Sequence, residues 1–149
     1  MNERQCKSRI LVADDHPHAG RIVTQLLVEE GYAAVLAHDG EEAMNRLAED
    51  EFEAVISDVQ MPGMSGFELL QNIHIHWPRL PVILMALFIE KDLRDSALAW
   101  GATALLEKPF TRAELKAALA SALQGASYAL NETLVHQIQA AIAKEAVCS

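Results

Sequence analysis

Several broad classes of protein are excluded by what this chain has little of. It has only two cysteines among 149 residues, Cys6 and Cys148, one near each end. They form no Cys-x-x-Cys pair and no zinc-ligand spacing, so a reducing cytoplasmic home is expected. Basic residues are scarce: 12 Lys and Arg stand against 21 Asp and Glu, a formal charge of −9. Binding to a phosphate backbone draws on clustered Lys and Arg, so nucleic acid is not an expected partner. Long apolar runs are missing too. The start, Met1-Asn2-Glu3-Arg4-Gln5-Cys6-Lys7, has no signal-peptide stretch, and the segment 80–89 is interrupted by Pro81 and too short to span a bilayer, so no membrane role is expected. No internal repeat or long linker is present, and no low-complexity tract beyond the alanine-rich final segments.

What remains, 51% hydrophobic and 22% charged residues, suits one compact domain with room for an appended element. Short β-rich runs alternate with segments of helical periodicity, the pattern of a parallel sheet covered on both faces. Strands are expected near 9–13, 33–37, 53–57, 81–86 and 102–106, and helices near 18–30, 41–49, 66–75, 91–99 and 112–123. In the first helix Ile22 with Leu26 and Val23 with Leu27 make i, i+4 pairs, and Gly31 is placed to end it. Asp39 with Glu42, Ser65 with Glu68 and Thr111 with Glu114 have capping-box spacing at three helix starts. Beyond Leu123, Gln124-Gly125-Ala126-Ser127 predicts a break. A further amphipathic helix should follow, with Asn131 as N-cap and Leu130, Leu134, Ile138 and Ile142 forming an apolar stripe. Such a stripe needs a cover, and pairing with a second copy of the chain is the favoured one.

Three carboxylates and one lysine fall at strand ends: Asp14 and Asp15 after Ile10–Ala13, Asp58 after Ala54–Ser57, and Lys108 before Pro109. In an open α/β sheet the carboxyl ends of neighbouring parallel strands meet at the ligand crevice. Three carboxylates brought within a few ångströms repel unless a cation shares the space. Mg²⁺ is the expected ion, because it suits one or two carboxylates plus waters and a phosphate oxygen.

The segments ILVADDHP, AVISDVQMPGMSGFELL, PVILMA and GATALLEKPF follow one another in an order and at a spacing that resembles a receiver domain of bacterial two-component response regulators, from about Arg9 to Leu123. That resemblance implies a flavodoxin-like, doubly wound α/β fold with strand order 2-1-3-4-5 and, here, an extra C-terminal helix. It divides the chain into a tail at 1–8, the receiver at 9–124 and a helical extension at 125–149, with no output domain of the usual kind. It makes Asp58 the phosphoryl acceptor, assigns the metal to Asp14, Asp15, Asp58 and the backbone carbonyl of Gln60, and pairs Lys108 with Asp58 or its phosphate. The implied donor is a phosphohistidine on a histidine kinase or histidine phosphotransfer protein, and the chain is a signalling domain rather than an enzyme.

Two positions depart from the family pattern. Ala86 stands where a Thr or Ser hydroxyl usually bonds the phosphate, and Leu105 where a Tyr or Phe usually swings inward, so both halves of the usual relay are absent. Leu87 follows in place of a smaller residue and is expected either to crowd the site entrance or to join the core. A second reading is therefore an interaction or dimerisation module, insensitive to phosphorylation, on the same fold. A third, a Mg²⁺-dependent phosphatase, ranks last because Asp58-Val59-Gln60 lacks a second acid. His16, His18, His74 and His76 could ligate a transition metal but read more simply as surface residues. Met61, Met64, Met85, Trp77 and Trp100 read as packing.

Overall fold

A computed structural model describes residues 8–133. The elements in chain order are β1 (Arg9–Ala13), α1 (Pro17–Glu29), β2 (Ala33–Ala37), α2 (Gly40–Glu49), β3 (Ala54–Asp58), α3 (Gly66–His76), β4 (Val82–Ala86), α4 (Lys91–Ala99), β5 (Ala104–Glu107) and α5 (Arg112–Thr133). All strand pairs are parallel and the order is β2-β1-β3-β4-β5, as expected from the resemblance.

The strands β1, β3 and β4 read as near-continuous apolar runs because helices cover both of their faces. Successive side chains alternate between two core layers. Leu11, Val55 and Leu84 meet Leu69, Leu70 and Ile73 of α3 on one face. Ile10, Val12, Ile56, Ile83 and Met85 meet Leu27 of α1 and Leu115 and Leu119 of α5 on the other. Leu115 and Leu119 are fully buried, so truncating either to Ala should cost roughly 2–5 kcal/mol and loosen α5 from the sheet.

Helix boundaries follow local chemistry. Ser65 and Glu68 form a complete capping box, with Glu68 N–H to Ser65 Oγ at 3.2 Å and Ser65 N–H to Glu68 Oε1 at 3.0 Å. Thr111 and Glu114 form another. At α2 the box is offset. Asp39 accepts from Glu42 N–H as expected, but Glu42 reaches one residue further, to the N–H of His38. Gly31 ends α1 with φ 95°, a left-handed conformation that a side chain disfavours.

One boundary differs more substantially. α5 continues through Gln124–Ser127, so the expected break is absent and Asn131 lies inside the helix instead of capping a new one. A single interior glycine costs a helix only about 1 kcal/mol relative to alanine, and this one stands in an alanine-rich run with no proline. Leu134, Ile138 and Ile142 of the expected stripe lie outside the described residues.

Candidate functional site

The three acids reach one place because β1 and β3 are adjacent and end at the same level. Asp14 follows β1 and is fully buried. Asp58 is the last residue of β3 itself, one position earlier in relation to the strand end than its sequence suggests, and is 7% exposed. Lys108 follows β5, and its N–H donates to the carbonyl of Ala86 at 2.8 Å, pinning the end of β5 to the end of β4. Its side chain crosses above β4 to place Nζ 3.2 Å from Asp58 Oδ2 and 3.4 Å from Asp14 Oδ2.

Asp15 and His16 complete the cluster. One ligand atom from each of Asp14, Asp15, His16 and Asp58 lies within 4.8 Å of the others. Asp14 Oδ1 accepts the His16 N–H at 3.0 Å, a side-chain-to-backbone turn that fixes the start of α1. Asp15 Oδ1 is buried and has no hydrogen-bond partner, although His16 Nδ1 stands 3.3 Å from it. Gln60 is exposed and lines an open depression of about 500 Å³ together with Asp15, His16, Met61, Pro62 and Phe67.

Burial pushes the Asp58 carboxyl above the usual carboxylate range. The Lys108 ammonium opposes that shift, the Asp14 charge adds to it, and a hydrogen bond from the Gln60 backbone draws it back. Two carboxylates about 4 Å apart repel by roughly 4 kcal/mol at the effective dielectric of a protein surface, and one ammonium cannot neutralise three acids. An orphaned buried carboxylate oxygen beside two further acids is a donor set that a hard divalent cation fits.

The positions flagged as departures are also placed. Ala86 ends β4, is buried, and offers only a methyl. Leu105 packs into the core layer beneath α3 and α4. Leu87 is 63% exposed and Phe88 74%, so Leu87 does not join the core. His18 is exposed and outside the cluster, and His76 bonds the carbonyl of Asn72 through its Nδ1. Met61 and Met85 are core residues, and Trp100 stacks edge-on against Phe67. The sequence reading missed the approach of the His16 ring to the two acids. The available signal was Pro17, which starts α1 immediately after His16. A larger recess of about 890 Å³ lies at the opposite end of the sheet, lined by Glu49–Glu53 and His76–Pro81, and does not touch the acids.

A doubly wound parallel sheet that gathers carboxylates from β1 and β3 and a lysine from β5 at its carboxyl edge defines a class, the flavodoxin-like α/β domains with an acidic crevice. The sequence profile of the response regulator receiver domain matches residues 10–120, and the chain belongs to that family. It is 32% identical over 117 residues to the regulatory protein AtoC of Escherichia coli, covering 78% of this chain and 25% of AtoC. It is 37% identical over 111 residues to the sensor histidine kinase RcsC of Salmonella typhi, covering 74% of this chain and 12% of RcsC. The chain thus spans only a fraction of the length of these relatives. Among solved structures, chemotaxis protein CheY4 of Vibrio cholerae superposes with a TM-score of 0.76 at 29% identity, covering 78% of this chain and 99% of CheY4. The response regulator TrrA of Thermotoga maritima, solved in complex with Mg²⁺ and BeF, superposes with a TM-score of 0.71 at 33% identity, covering 78% of this chain and 99% of TrrA. No helix among the described residues is long and apolar enough to cross a membrane.

Proposed function

We propose that this receiver accepts a phosphoryl group on Asp58 from a phosphohistidine of a histidine kinase or histidine phosphotransfer protein in the cytoplasm. The observation that carries this reading is the Lys108 ammonium held between Asp14 and Asp58 beside the unpartnered oxygen of Asp15. An Asp58 carboxylate oxygen attacks phosphorus as the P–N bond of the donor breaks. The departing imidazole nitrogen keeps the electron pair and takes a proton.

Asp14, Asp15, Asp58 and the Gln60 carbonyl would hold Mg²⁺, which supplies charge neutralisation to the phosphoryl oxygens when bound. Lys108 orients the Asp58 carboxylate before transfer and pairs with a phosphate oxygen after it. The Gln60 N–H restrains the same carboxyl. Asp58 is favoured over its neighbours because Asp14, though also paired with Lys108, is fully buried, whereas Asp58 both meets Lys108 and keeps some exposure to a donor.

The test is intact mass after incubation with acetyl phosphate and Mg²⁺. The wild type should gain one phosphoryl increment, and Asp58→Asn should gain none while keeping its circular dichroism spectrum. An increment that persists in Asp58→Asn, or one that never forms in the wild type, refutes the assignment.

A further inference from the structure

The site described above leaves one nearby side chain without a role. His16 is exposed at its outer edge yet turns Nδ1 toward the carboxylates, 3.3 Å from Asp15 Oδ1 and 3.7 Å from Asp14 Oδ1. Its backbone cannot drift far. The N–H is held by Asp14 Oδ1, and Pro17 occupies the first turn of α1 immediately after it.

The geometry points to His16 Nδ1 as a further ligand of the cation held by Asp14, Asp15 and Asp58, so that the pocket takes an imidazole-preferring divalent cation such as Zn²⁺ more tightly than Mg²⁺. The inference rests on the reading of those three acids as the cation pocket and adds a donor that the reading does not need. Two donors each about 2.1 Å from one ion stand roughly 3.0 Å apart at a right angle and 3.4 Å apart at the tetrahedral angle. The Asp15–His16 separation of 3.3 Å falls in that interval, and the 3.7 Å to Asp14 lies a small side-chain rotation away. Asp15 Oδ1, although 3.3 Å from the ring nitrogen, has no hydrogen-bond partner and so keeps its lone pairs for a cation. Imidazole nitrogen ranks Zn²⁺ and Ni²⁺ far above Mg²⁺, which prefers oxygen and water.

Among the described residues, the other histidines do not form such a cluster. His18 is exposed and is not part of the cluster. His74 and His76 stand two apart on α3, on different faces of the helix, and His76 Nδ1 is already bonded to Asn72.

The test titrates the full chain with Zn²⁺ and with Mg²⁺ by calorimetry, in a buffer well above the ordinary imidazole pKa of about 6.5. It compares the wild type, His16→Ala, His16→Gln, His18→Ala and Asp15→Asn. In parallel, the imidazole ¹⁵N resonances are followed by NMR. Zn²⁺ should shift the His16 Nδ1 resonance, and excess Mg²⁺ should reverse the shift. Both His16 variants should bind Zn²⁺ at least about tenfold more weakly. Their Mg²⁺ affinity should stay within about twofold of wild type, and His18→Ala should match the wild type for both ions. Zn²⁺ affinity unchanged in the His16 variants, or an unmoved His16 resonance, overturns the proposal while leaving the acid pocket intact if Asp15→Asn still loses Mg²⁺. Binding of both ions that is indifferent to Asp15→Asn overturns the pocket itself and the ligand role of His16 with it.

Discussion

Replacing Lys108 by methionine keeps most of the side chain's length and apolar stem while removing the ammonium that faces Asp14 and Asp58. Removing one partner of a buried ion pair costs roughly 3–5 kcal/mol, because the remaining charge is left without compensation. Lys108 is 19% exposed and the acids it meets are 0% and 10% exposed at their side chains. Partial solvent screening on the lysine side places the expected loss near the lower end, about 3 kcal/mol. A domain with roughly 5–15 kcal/mol of stability tolerates that and remains folded, with a melting point lower by about 10 °C. The loss should depend on pH. Burial raises the Asp58 carboxyl, and Lys108 is foremost among the influences that hold it down, so the variant carries a still higher value. An acid raised in the folded state contributes stability in acid that is lost as the pH rises through its folded value. The deficit of the variant is therefore largest at neutral pH and closes as the pH falls toward the ordinary carboxyl value of 3.8. Added Mg²⁺ should shrink it at neutral pH as well. Urea denaturation of both proteins at pH 7 and about pH 5, with and without Mg²⁺, measures all of this. A deficit that stays constant across pH and Mg²⁺ would mean that the lysine stem, not its charge, is what the fold uses.

Gly66→Ala should destabilise the domain by about 3 kcal/mol in denaturant titration, since a Cβ there would lie 2.2 Å from the Asp58 carbonyl oxygen and 2.8 Å from Val59 Cα, both backbone atoms. An unchanged midpoint would show that the β3–α3 loop can move away freely. Ala86→Thr combined with Leu105→Tyr should enlarge the chemical-shift changes that a phosphate mimic causes around α4 and β5. Equal changes in the double variant and the wild type would mean that coupling runs by another route. Arg112 holds the Glu29 and Glu30 carboxyls below their ordinary value by hydrogen bonding both, so Arg112→Ala should raise the two titrations toward 4.5. A depressed acid contributes stability above its unfolded value that is lost as the pH falls, so the bridge between α1 and α5 should weaken in acid and in high salt. Carboxyl NMR titrations that do not move in the variant would remove that bridge as the cause.

How far the chain could be read before its structure depended on how local each signal was. The strands β1 and β2 match their expected bounds, because runs such as Ile10–Ala13 are bracketed by acids on one side and polar residues on the other. Asp58 belongs to β3 because it pairs with Met85 of β4, a non-local partner that no strand propensity encodes. The error at α5 has the opposite origin. Gly125 and Ser127 are weak local breakers, and the chain gives no proline or left-handed turn to enforce a stop. That Asp14, Asp15, Asp58 and Lys108 come together was legible because each stands at a strand end. The orientation of His16 was not, since it follows from a side-chain turn through Asp14 and from the packing of α1 against the sheet.

The missing hydroxyl at Ala86 separates acceptance from response. A hydrogen bond to a charged group is worth roughly 1.5–3 kcal/mol, so its loss weakens any conformation selected by the phosphate by about one to two orders of magnitude. The proposed acceptance does not pass through that position, because the groups around the Asp58 carboxyl are Lys108, Asp14 and the Gln60 backbone. A ligand shifts a two-state equilibrium only by its differential affinity for the two states. With Ala86 and Leu105 contributing no polar side-chain atom, Lys108 and a bound cation are the groups that would supply that difference in the proposed phosphorylation. The Lys108 N–H is bonded to the Ala86 carbonyl, and Ala86 leads directly into exposed Leu87 and Phe88. In the proposed phosphorylation, a lysine that exchanges a carboxylate for a phosphate would act on the β4–α4 loop through backbone rather than through a side-chain relay, and that loop is where a phosphorylation-dependent surface change should be measured.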